Sequence, residues 1–238
     1  MTQISSIDLH LSSDPARIER SRDDRLRAAA LIHACRPLQW TKNALLLAAP
    51  TAAGLITVPA VAARVAGAIA AFCMVSSATY LLNDVRDRDQ DRRHPRKRLR
   101  PIAAGLVPVR AALILAAVLG AGGLALAAVI RPELALVGCG YLALTASYSL
   151  WLRRVIVVDI AAIAAGFVLR AAAGGVAAGV SLSRWFLVVT TCGAVFVVAG
   201  KRHAELFGRV REAARVLRRD ADAARLGELM FEQAPDPD

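Results

Sequence analysis

Long uncharged runs of apolar residues alternate along the chain with shorter polar segments. Four runs, residues 65–82, 111–130, 134–152 and 185–200, contain no charged side chain. Each approaches the length of about 20 helical residues that crosses a bilayer. Residues 43–63 and 155–177 are similarly apolar, apart from two prolines in the first and two charged residues in the second. We therefore expect an all-α, polytopic transmembrane bundle of about six helices, at approximately residues 38–57, 61–82, 111–130, 133–152, 155–177 and 185–207.

The remaining segments divide the chain into three parts. Residues 1–32 form a polar lead-in, of which 16–32 is either an amphipathic helix on the membrane surface or a disordered tail. Residues 33–207 form the bundle, with Pro59 expected in the turn after the first helix and a polar loop at 83–110. Residues 208–238 form a charged, partly helical tail. Because the first thirty residues lack the apolar core of a cleavable signal peptide, we expect the first apolar helix to direct insertion.

The charge distribution predicts how the bundle is oriented. The chain is 56% hydrophobic and carries a net charge of +11, with a mean hydropathy of +0.47. Nine basic residues fall within the loop 83–110, whereas the loops around Arg64, Arg131 and Arg184 hold one each. Basic loops stay on the cytoplasmic side, so we expect the loop 83–110 and both termini to be cytoplasmic. This explanation accounts for the charge without nucleic acid binding.

The four cysteines are scattered singly. Cys35, Cys73, Cys139 and Cys192 lie in or beside predicted helices, without the spacing of metal ligands. We expect them to be reduced side chains that contribute to packing.

An acidic motif follows the second predicted helix. If that helix continues beyond the membrane, Asp84, Asp87 and Asp91 lie at positions i, i+3 and i+7 and share one face. Carboxylate oxygens suit Mg²⁺, which is usually completed by water and substrate phosphates, so the motif indicates a diphosphate-bearing substrate. Lys97 and Arg100 follow and could contact phosphate. The alternative is an interfacial loop whose mixed charges only obey the positive-inside rule.

A second polar group lies around the fifth predicted helix. Tyr148 and Arg153 stand in the turn before it, and Asp159 and Arg170 lie eleven residues apart, about three turns, on one face. Ionisable residues in a membrane helix usually face a bundle interior or a watered cavity and mark a functional site. The alternative is a structural ion pair with neighbouring helices.

A third group lies where the first helix begins and the sixth ends. Lys42 belongs to the segment 36–43, and Lys201 and Arg202 follow the last apolar run. These cations either contact a substrate phosphate or extend towards lipid headgroups.

The motif Asn83-Asp84-x-x-Asp87-x-x-x-Asp91 resembles the first signature of the UbiA superfamily of polytopic prenyltransferases, over approximately residues 33–206. Segments 94–105 and 36–43 are most similar to the branch that transfers phosphoribose to decaprenyl phosphate. The resemblance implies a Mg²⁺-dependent enzyme of the bacterial plasma membrane. Such an enzyme moves 5-phosphoribose from phosphoribosyl pyrophosphate to a polyprenyl phosphate, for synthesis of cell-wall arabinan precursors.

The resemblance also implies roles for individual residues. Asp84, Asp87 and Asp91 would be catalytic and hold the metal. The substrate-binding residues would be Lys42, Asn83, Lys97, Arg100, Tyr148, Arg153, Asp159, Arg170, Lys201 and Arg202. Assembly of the chain into a homo-oligomer is kept as an open alternative.

Two features depart from the family pattern. The family commonly has lysine where Arg153 stands, and it has about nine membrane helices where this chain has six apolar runs and a charged tail. We therefore expect a member that is shortened or altered at its C-terminus. Two alternatives to phosphoribosyl transfer remain: an aromatic-acceptor prenyltransferase of the same superfamily, and a non-catalytic membrane protein or inactive relic.

Overall fold

The computed structural model of the protein describes residues 15–150 and 156–232. Every regular element in these two ranges is helical, which confirms the predicted all-α fold. The α-helices are α1 (Pro15–Ala34), α2 (Ala48–Ala52), α3 (Pro59–Arg86), α4 (Arg88–Arg93), α5 (Val109–Ile130), α6 (Pro132–Leu150), α7 (Ile156–Ala178) and α8 (Arg184–Glu232). Two 3-10 helices, Pro37–Leu47 and Lys97–Leu99, complete the order.

Four helices within the described ranges are long and apolar enough to cross a membrane. They are Pro59–Arg86, Val109–Ile130, Val158–Ala178 and Arg184–Glu212. The outer faces of α5 and α8 expose large apolar side chains such as Ile114, Val118 and Phe196. Because a face of this kind is stable against hydrocarbon and unfavourable in water, the protein is an integral membrane protein.

Helix α3 is central and packs against α5, α6 and α7. Its buried Val65, Phe72 and Val75 form the main core together with residues of α6 and α7. The contact with α5 is close because Gly123 faces α3. A Cβ at Gly123 would lie 2.8 Å from Val75 Cγ2 and 2.9 Å from the carbonyl oxygen of Ala71.

The 3-10 helix Pro37–Leu47 lies between α3 and α7. The Trp40 indole N–H donates to Ser77 Oγ on α3 at 3.0 Å. On the other side, Gly174 of α7 meets the backbone of Leu46 so closely that a Cβ there would lie 1.9 Å from the Leu46 carbonyl oxygen. These two contacts fix the segment that carries Lys42.

A second, smaller core covers one end of the bundle. Ala34 of α1 packs there with Leu81 of α3, and with Ile102 and Val107 of the loop after α4. The helix α1 shows that the segment 16–32 is helical rather than a disordered tail. Its position on a membrane surface stays a prediction.

The predicted first span, 38–57, is wrong as a single helix. The chain forms a 3-10 helix and then the five residues of α2 before turning at Gly54, which has a φ of 69°. Buried Pro50 has no N–H to continue a helix, and this favours the break. Pro59 does not lie in the turn but opens α3, where a missing N–H costs nothing.

Helix α8 does not end near residue 207 as predicted. It continues to Glu232, well into the segment that we assigned to the charged tail. No proline interrupts residues 184–232. Ion pairs one turn apart, such as Arg215–Glu212 at 3.4 Å, support the exposed part of the helix.

The cysteines are free thiols, but only two contribute to packing. Cys35 is buried and Cys73 half-buried, whereas Cys139 and Cys192 are exposed on α6 and α8. The prediction of a packing role is wrong for the latter two because they lie on outward faces of their helices. Burial raises the pKa of the Cys35 thiol, which favours its protonated, unreactive form.

Candidate active site

Two aspartates of the acidic motif share one arginine. Asp84, in the last turn of α3, has a side chain only 4% exposed, and its Oδ1 accepts a hydrogen bond from Arg100 Nη1 at 3.1 Å. The same Nη1 lies 2.6 Å from Oδ2 of buried Asp91 in α4. Arg36 Nη2 adds a third contact, at 2.5 Å from Asp84 Oδ1. Asp84, Asp91, Arg36 and Arg100 therefore form one compact charge cluster, called here the acidic cluster.

The helix carrying the motif bends, contrary to the prediction of one continuous face. α3 ends at Arg86, and Asp87, with φ of −86° and ψ of 3°, joins it to α4. In a straight helix Asp91 would stand about 10 Å further along the axis than Asp84, whereas the bend lets both reach Arg100. Within the described residues no three His, Cys, Asp or Glu side chains are arranged to hold a metal ion. In the structure Asp84 and Asp91 meet at Arg100, and the role of all three aspartates as metal ligands stays a prediction.

The loop after α4 holds Arg100 in place. Arg92 Nε donates to the Ala103 carbonyl at 3.0 Å, and Ile102 is fully buried against α3. His94 Nδ1 accepts the backbone N–H groups of Arg96 and Lys97. The Lys97 side chain is exposed and is not among the residues that line the cavity described next. Of the two predicted phosphate ligands in the loop, only Arg100 reaches the acidic cluster.

A cavity of about 480 Å³ lies beside the acidic cluster, between the 3-10 helix, α3, α6, α7 and α8. Its volume falls within the range of typical small-molecule sites. Six predicted site residues line it: Lys42, Asn83, Tyr148, Arg170, Lys201 and Arg202. Leu144, Ile163, Phe167, Val197 and Val198 give it apolar walls. The cavity therefore combines cations with an apolar lining.

Arg170 supplies the most deeply buried cation of the cavity, with only 5% of the residue exposed. Its guanidinium donates to Asn43 Oδ1 at 2.9 Å, to the Gly166 carbonyl at 2.9 Å and to the Tyr141 hydroxyl at 2.6 Å. It also lies 4.6 Å from the centroid of the Tyr141 ring. These acceptors are all neutral, so they orient the guanidinium without cancelling its charge.

Lys42 stands in the same electrostatic environment. It is half-buried and experiences the positive charges of Arg170, Lys201 and Arg36. Gathering cations in this way is unfavourable unless an anion is present to offset their repulsion. The cavity is therefore electrostatically suited to an anionic ligand.

Asp159 does not pair with Arg170, although both belong to α7. It accepts a hydrogen bond from the Tyr148 hydroxyl and forms an ion pair with Arg202 of α8. Arg202 also contacts Glu205 at 2.8 Å, and exposed Lys201 lies 3.9 Å from the same carboxylate. These contacts join α6, α7 and α8 at one end of the cavity. Arg153 lies outside the described residues.

Asn83 connects the cavity to the acidic cluster. Its Oδ1 accepts from Ser149 Oγ at 2.7 Å, and Arg86 donates to the Ser149 carbonyl. Asn83 lines the cavity while the next residue, Asp84, belongs to the acidic cluster. The two features are therefore adjacent parts of one site.

Comparison with known proteins agrees with this architecture. Residues 43–202 match the UbiA prenyltransferase family. The chain belongs to that family.

Two similar relatives of this UbiA family member carry the same name. A decaprenyl-phosphate phosphoribosyltransferase of Mycobacterium tuberculosis is 47% identical over 182 residues, covering 75% of this chain and 60% of the relative. The protein of the same name from Corynebacterium glutamicum is 46% identical over 193 residues, covering 79% of this chain and 58% of the relative. The UbiA family chain thus spans about three fifths of the length of these relatives.

A solved structure has the same fold. A UbiA homolog from Archaeoglobus fulgidus, bound to GPP and Mg²⁺, superimposes with a TM-score of 0.60 at 25% identity. The alignment covers 70% of this chain and 60% of the archaeal one.

Two carboxylates of this UbiA family member fit the Mg²⁺ that the family implies. Asp84 and Asp91 offer hard oxygen ligands, and both already approach the single nitrogen Arg100 Nη1. Mg²⁺ bound here would take these two carboxylates as ligands, and water and substrate phosphate would complete its coordination. The acidic cluster is therefore chemically suited to hold Mg²⁺ through these two side chains.

Tyr80 and Tyr141 of the UbiA site escaped the sequence-based prediction, whereas Arg36 and Asn43 lay in the predicted segment 36–43 without a role of their own. Helical spacing could have indicated the two tyrosines, because Tyr80 stands three residues before Asn83 and Tyr141 seven before Tyr148. Arg36 lies 48 positions from Asp84, so no local pattern predicts their contact.

Proposed function

We propose that this protein transfers 5-phosphoribose from phosphoribosyl pyrophosphate to a polyprenyl phosphate and releases pyrophosphate, in the synthesis of cell-wall arabinan precursors. The observation that carries the proposal is the apolar cavity in which Arg170 and Lys42 gather positive charge directly beside the acidic cluster. One substrate of this reaction is a soluble polyphosphate and the other is a lipid with an anionic headgroup. Adjacent acidic, cationic and apolar surfaces suit such a combination of substrates. The names of the 46–47% identical relatives support the same assignment.

In the proposed reaction, a lipid phosphate oxygen attacks the anomeric carbon of phosphoribosyl pyrophosphate. The bond from that carbon to the pyrophosphate oxygen breaks, and its electron pair leaves with pyrophosphate. The attacking oxygen is already anionic at neutral pH, so no strong general base is needed. Positioning of the two substrates and stabilisation of charge then supply most of the rate.

Different residues are assigned to the metal, to the donor and to the phosphates in the cavity. Mg²⁺ held by Asp84 and Asp91, with Asp87 at the bend beside them, would neutralise charge on the departing pyrophosphate. Asn83, Lys97, Arg100 and Arg153 are assigned to the donor. Lys42, Tyr148, Arg170, Lys201 and Arg202 are assigned to phosphates in the cavity, where Asp159 positions Tyr148 and Arg202. The apolar wall would receive the first isoprenoid units of the lipid.

The site is proposed to face the cytoplasm of a bacterium, with the loop 83–110 and both termini on that side of the plasma membrane. A single cysteine at exposed Ala104, in a variant without the native cysteines, tests this orientation. Labelling of sealed cells by a membrane-impermeant maleimide would contradict it. Labelling only after lysis is expected.

The function itself is tested with two labelled donors. Membranes containing the protein are supplied either with labelled phosphoribosyl pyrophosphate and decaprenyl phosphate, or with labelled prenyl diphosphate and an aromatic acceptor. The proposal expects a lipid-linked product only from the first pair, and only with Mg²⁺. Product from the second pair would identify an aromatic prenyltransferase, and no product from either would identify a non-catalytic protein.

A further inference from the structure

Arg36 occupies the boundary between the acidic cluster and the cavity. Its Nη2 lies 2.5 Å from Asp84 Oδ1, and its side chain is 28% exposed. The guanidinium carbon also stands 5.1 Å from the centroid of the Tyr80 ring, and Tyr80 lines the cavity. A single side chain therefore contacts both parts of the site.

The backbone of Arg36 is held in an unfavourable conformation. Its φ of 55° and ψ of 62° are left-handed, and it is the one non-glycine residue with positive φ in the described ranges. Its N–H donates to the His33 carbonyl at 3.1 Å, and its carbonyl accepts from Gln39 at 2.9 Å. Glycine would adopt this conformation without strain. Strained residues of this kind cluster at functional sites, where their side chains must be aimed at a particular point.

The contact with Asp84 has a consequence for cation binding. Arg36 and Arg100 both approach the same oxygen, Asp84 Oδ1, and together they balance the charges of Asp84 and Asp91. A divalent cation at Asp84 Oδ1 competes with both arginines for that oxygen. Arg100 is also held by Asp91, whereas Arg36 contacts Asp84 alone of the two carboxylates, so Arg36 is the arginine that can leave more easily. The released guanidinium stays tethered beside Tyr80, where its planar N–H groups match the geometry of a phosphate.

We propose that Arg36 is an exchangeable counter-ion, which pairs with Asp84 until a divalent cation takes that oxygen and then binds a phosphate oxygen of the donor at the mouth of the cavity. The choice of a phosphorylated donor rests on the proposed function. Arg36 thereby couples cation binding to phosphate binding. It is a substrate-binding residue that the motif itself does not include.

The first test measures Mn²⁺ binding to the purified full chain in detergent, by electron paramagnetic resonance and without substrate. Arg36→Gln removes a charge from beside Asp84, so Mn²⁺ should bind on the order of tenfold tighter than in the wild type. Arg36→Gly should show the same increase in Mn²⁺ affinity. Because glycine adopts a positive φ without strain, this variant also controls for misfolding of Arg36→Gln. Arg36→Lys keeps a competing charge and should stay near the wild-type affinity. Exposed Arg110→Gln, at the same end of the bundle, is the matched control and should leave the affinity unchanged.

The second test measures binding of inorganic pyrophosphate at saturating Mn²⁺. Arg36→Gln should weaken it on the order of tenfold, since a charge-assisted phosphate contact is lost. Unchanged or weaker Mn²⁺ binding in Arg36→Gln and Arg36→Gly, unchanged pyrophosphate binding, or the same effects in Arg110→Gln would each overturn the proposal. Neither measurement requires phosphoribose transfer. The exchange role of Arg36 and the proposed function can therefore fail separately.

Discussion

The contact between Gly174 and Leu46 offers a sharp test of how the site is assembled. Gly174 lies on α7 one turn after Arg170, and Leu46 lies on the 3-10 helix one turn after Lys42 and Asn43. A methyl group at Gly174 would stand 1.9 Å from the Leu46 carbonyl oxygen and 2.6 Å from its carbon. Both of these are backbone atoms, so no side-chain rotation can relieve the clash. Gly174→Ala must push the 3-10 helix away from α7.

The size of the displacement follows from the geometry. Ordinary contact begins at 3.4 Å, so the two segments must separate by roughly 1.5 Å. Overpacking of this kind typically costs about 1–3 kcal/mol of stability. The same movement lengthens the 2.9 Å bond from Arg170 to Asn43 and shifts Lys42 relative to the cavity. Since a misplacement of about 1 Å can cost on the order of a hundredfold in rate, we expect a loss of that size in transfer activity.

Gly140→Ala on α6 is the matched control, because nothing lies within 4 Å of its Cβ position. It should retain activity and gain up to about 1 kcal/mol from better helix propensity. Both variants are compared by thermal unfolding in detergent and by phosphoribosyl transfer at saturating substrates. A Gly174→Ala protein as stable and as active as Gly140→Ala would refute the close packing of the 3-10 helix on α7.

Three further variants test separate contacts of the site. Arg170→Met leaves the buried Asn43 Oδ1 without its donor and should lower the free energy of unfolding by about 1–3 kcal/mol, while the KM for a phosphorylated substrate rises at least about tenfold. Tyr148→Phe removes the hydrogen bond to Asp159 and should lower the free energy of unfolding by about 1 kcal/mol. The control is Tyr80→Phe, because no hydrogen bond from Tyr80 to Asp159 is seen. Asp84→Asn should abolish Mg²⁺-dependent transfer while the chain stays in the membrane fraction, and undiminished turnover would contradict the metal assignment.

Several elements could be predicted from sequence because their signals are local. Apolar runs of bilayer length located α3, α5, α7 and the membrane part of α8. The ends of these helices were less predictable. Proline suits both a turn and the first position of a helix, so Pro59 alone does not distinguish the two. The sequence of residues 208–232 contains no signal that decides whether a charged segment continues α8.

The geometry of the acidic motif could be predicted from sequence only in part. Spacing alone correctly grouped Asp84 with Asp91, but it assumed a straight helix, whereas the chain bends at Asp87. The partners of these aspartates come from distant positions, and the contact of Asp84 with Arg36 spans 48 residues. Only the packing of the 3-10 helix against α3 brings them together.

The cations of the bundle were predictable as candidates but not as a group. Asp159 and Arg170 share α7, yet one pairs with Arg202 of α8 and the other bonds to Asn43 of the 3-10 helix. Which cation lines a cavity and which is neutralised depends on neighbouring helices. Helical periodicity within α7 holds no information about those neighbours.

The measurement that tests the central claim most directly is mass-spectrometric detection of the lipid product. Purified protein is incubated with phosphoribosyl pyrophosphate, decaprenyl phosphate and Mg²⁺, and pyrophosphate is quantified in parallel. The account predicts 5-phosphoribosyl decaprenyl phosphate and pyrophosphate in equal amounts, with both lost on chelation of Mg²⁺ and in Asp84→Asn. Pyrophosphate without the lipid product, or a product that forms equally well in Asp84→Asn, would contradict it.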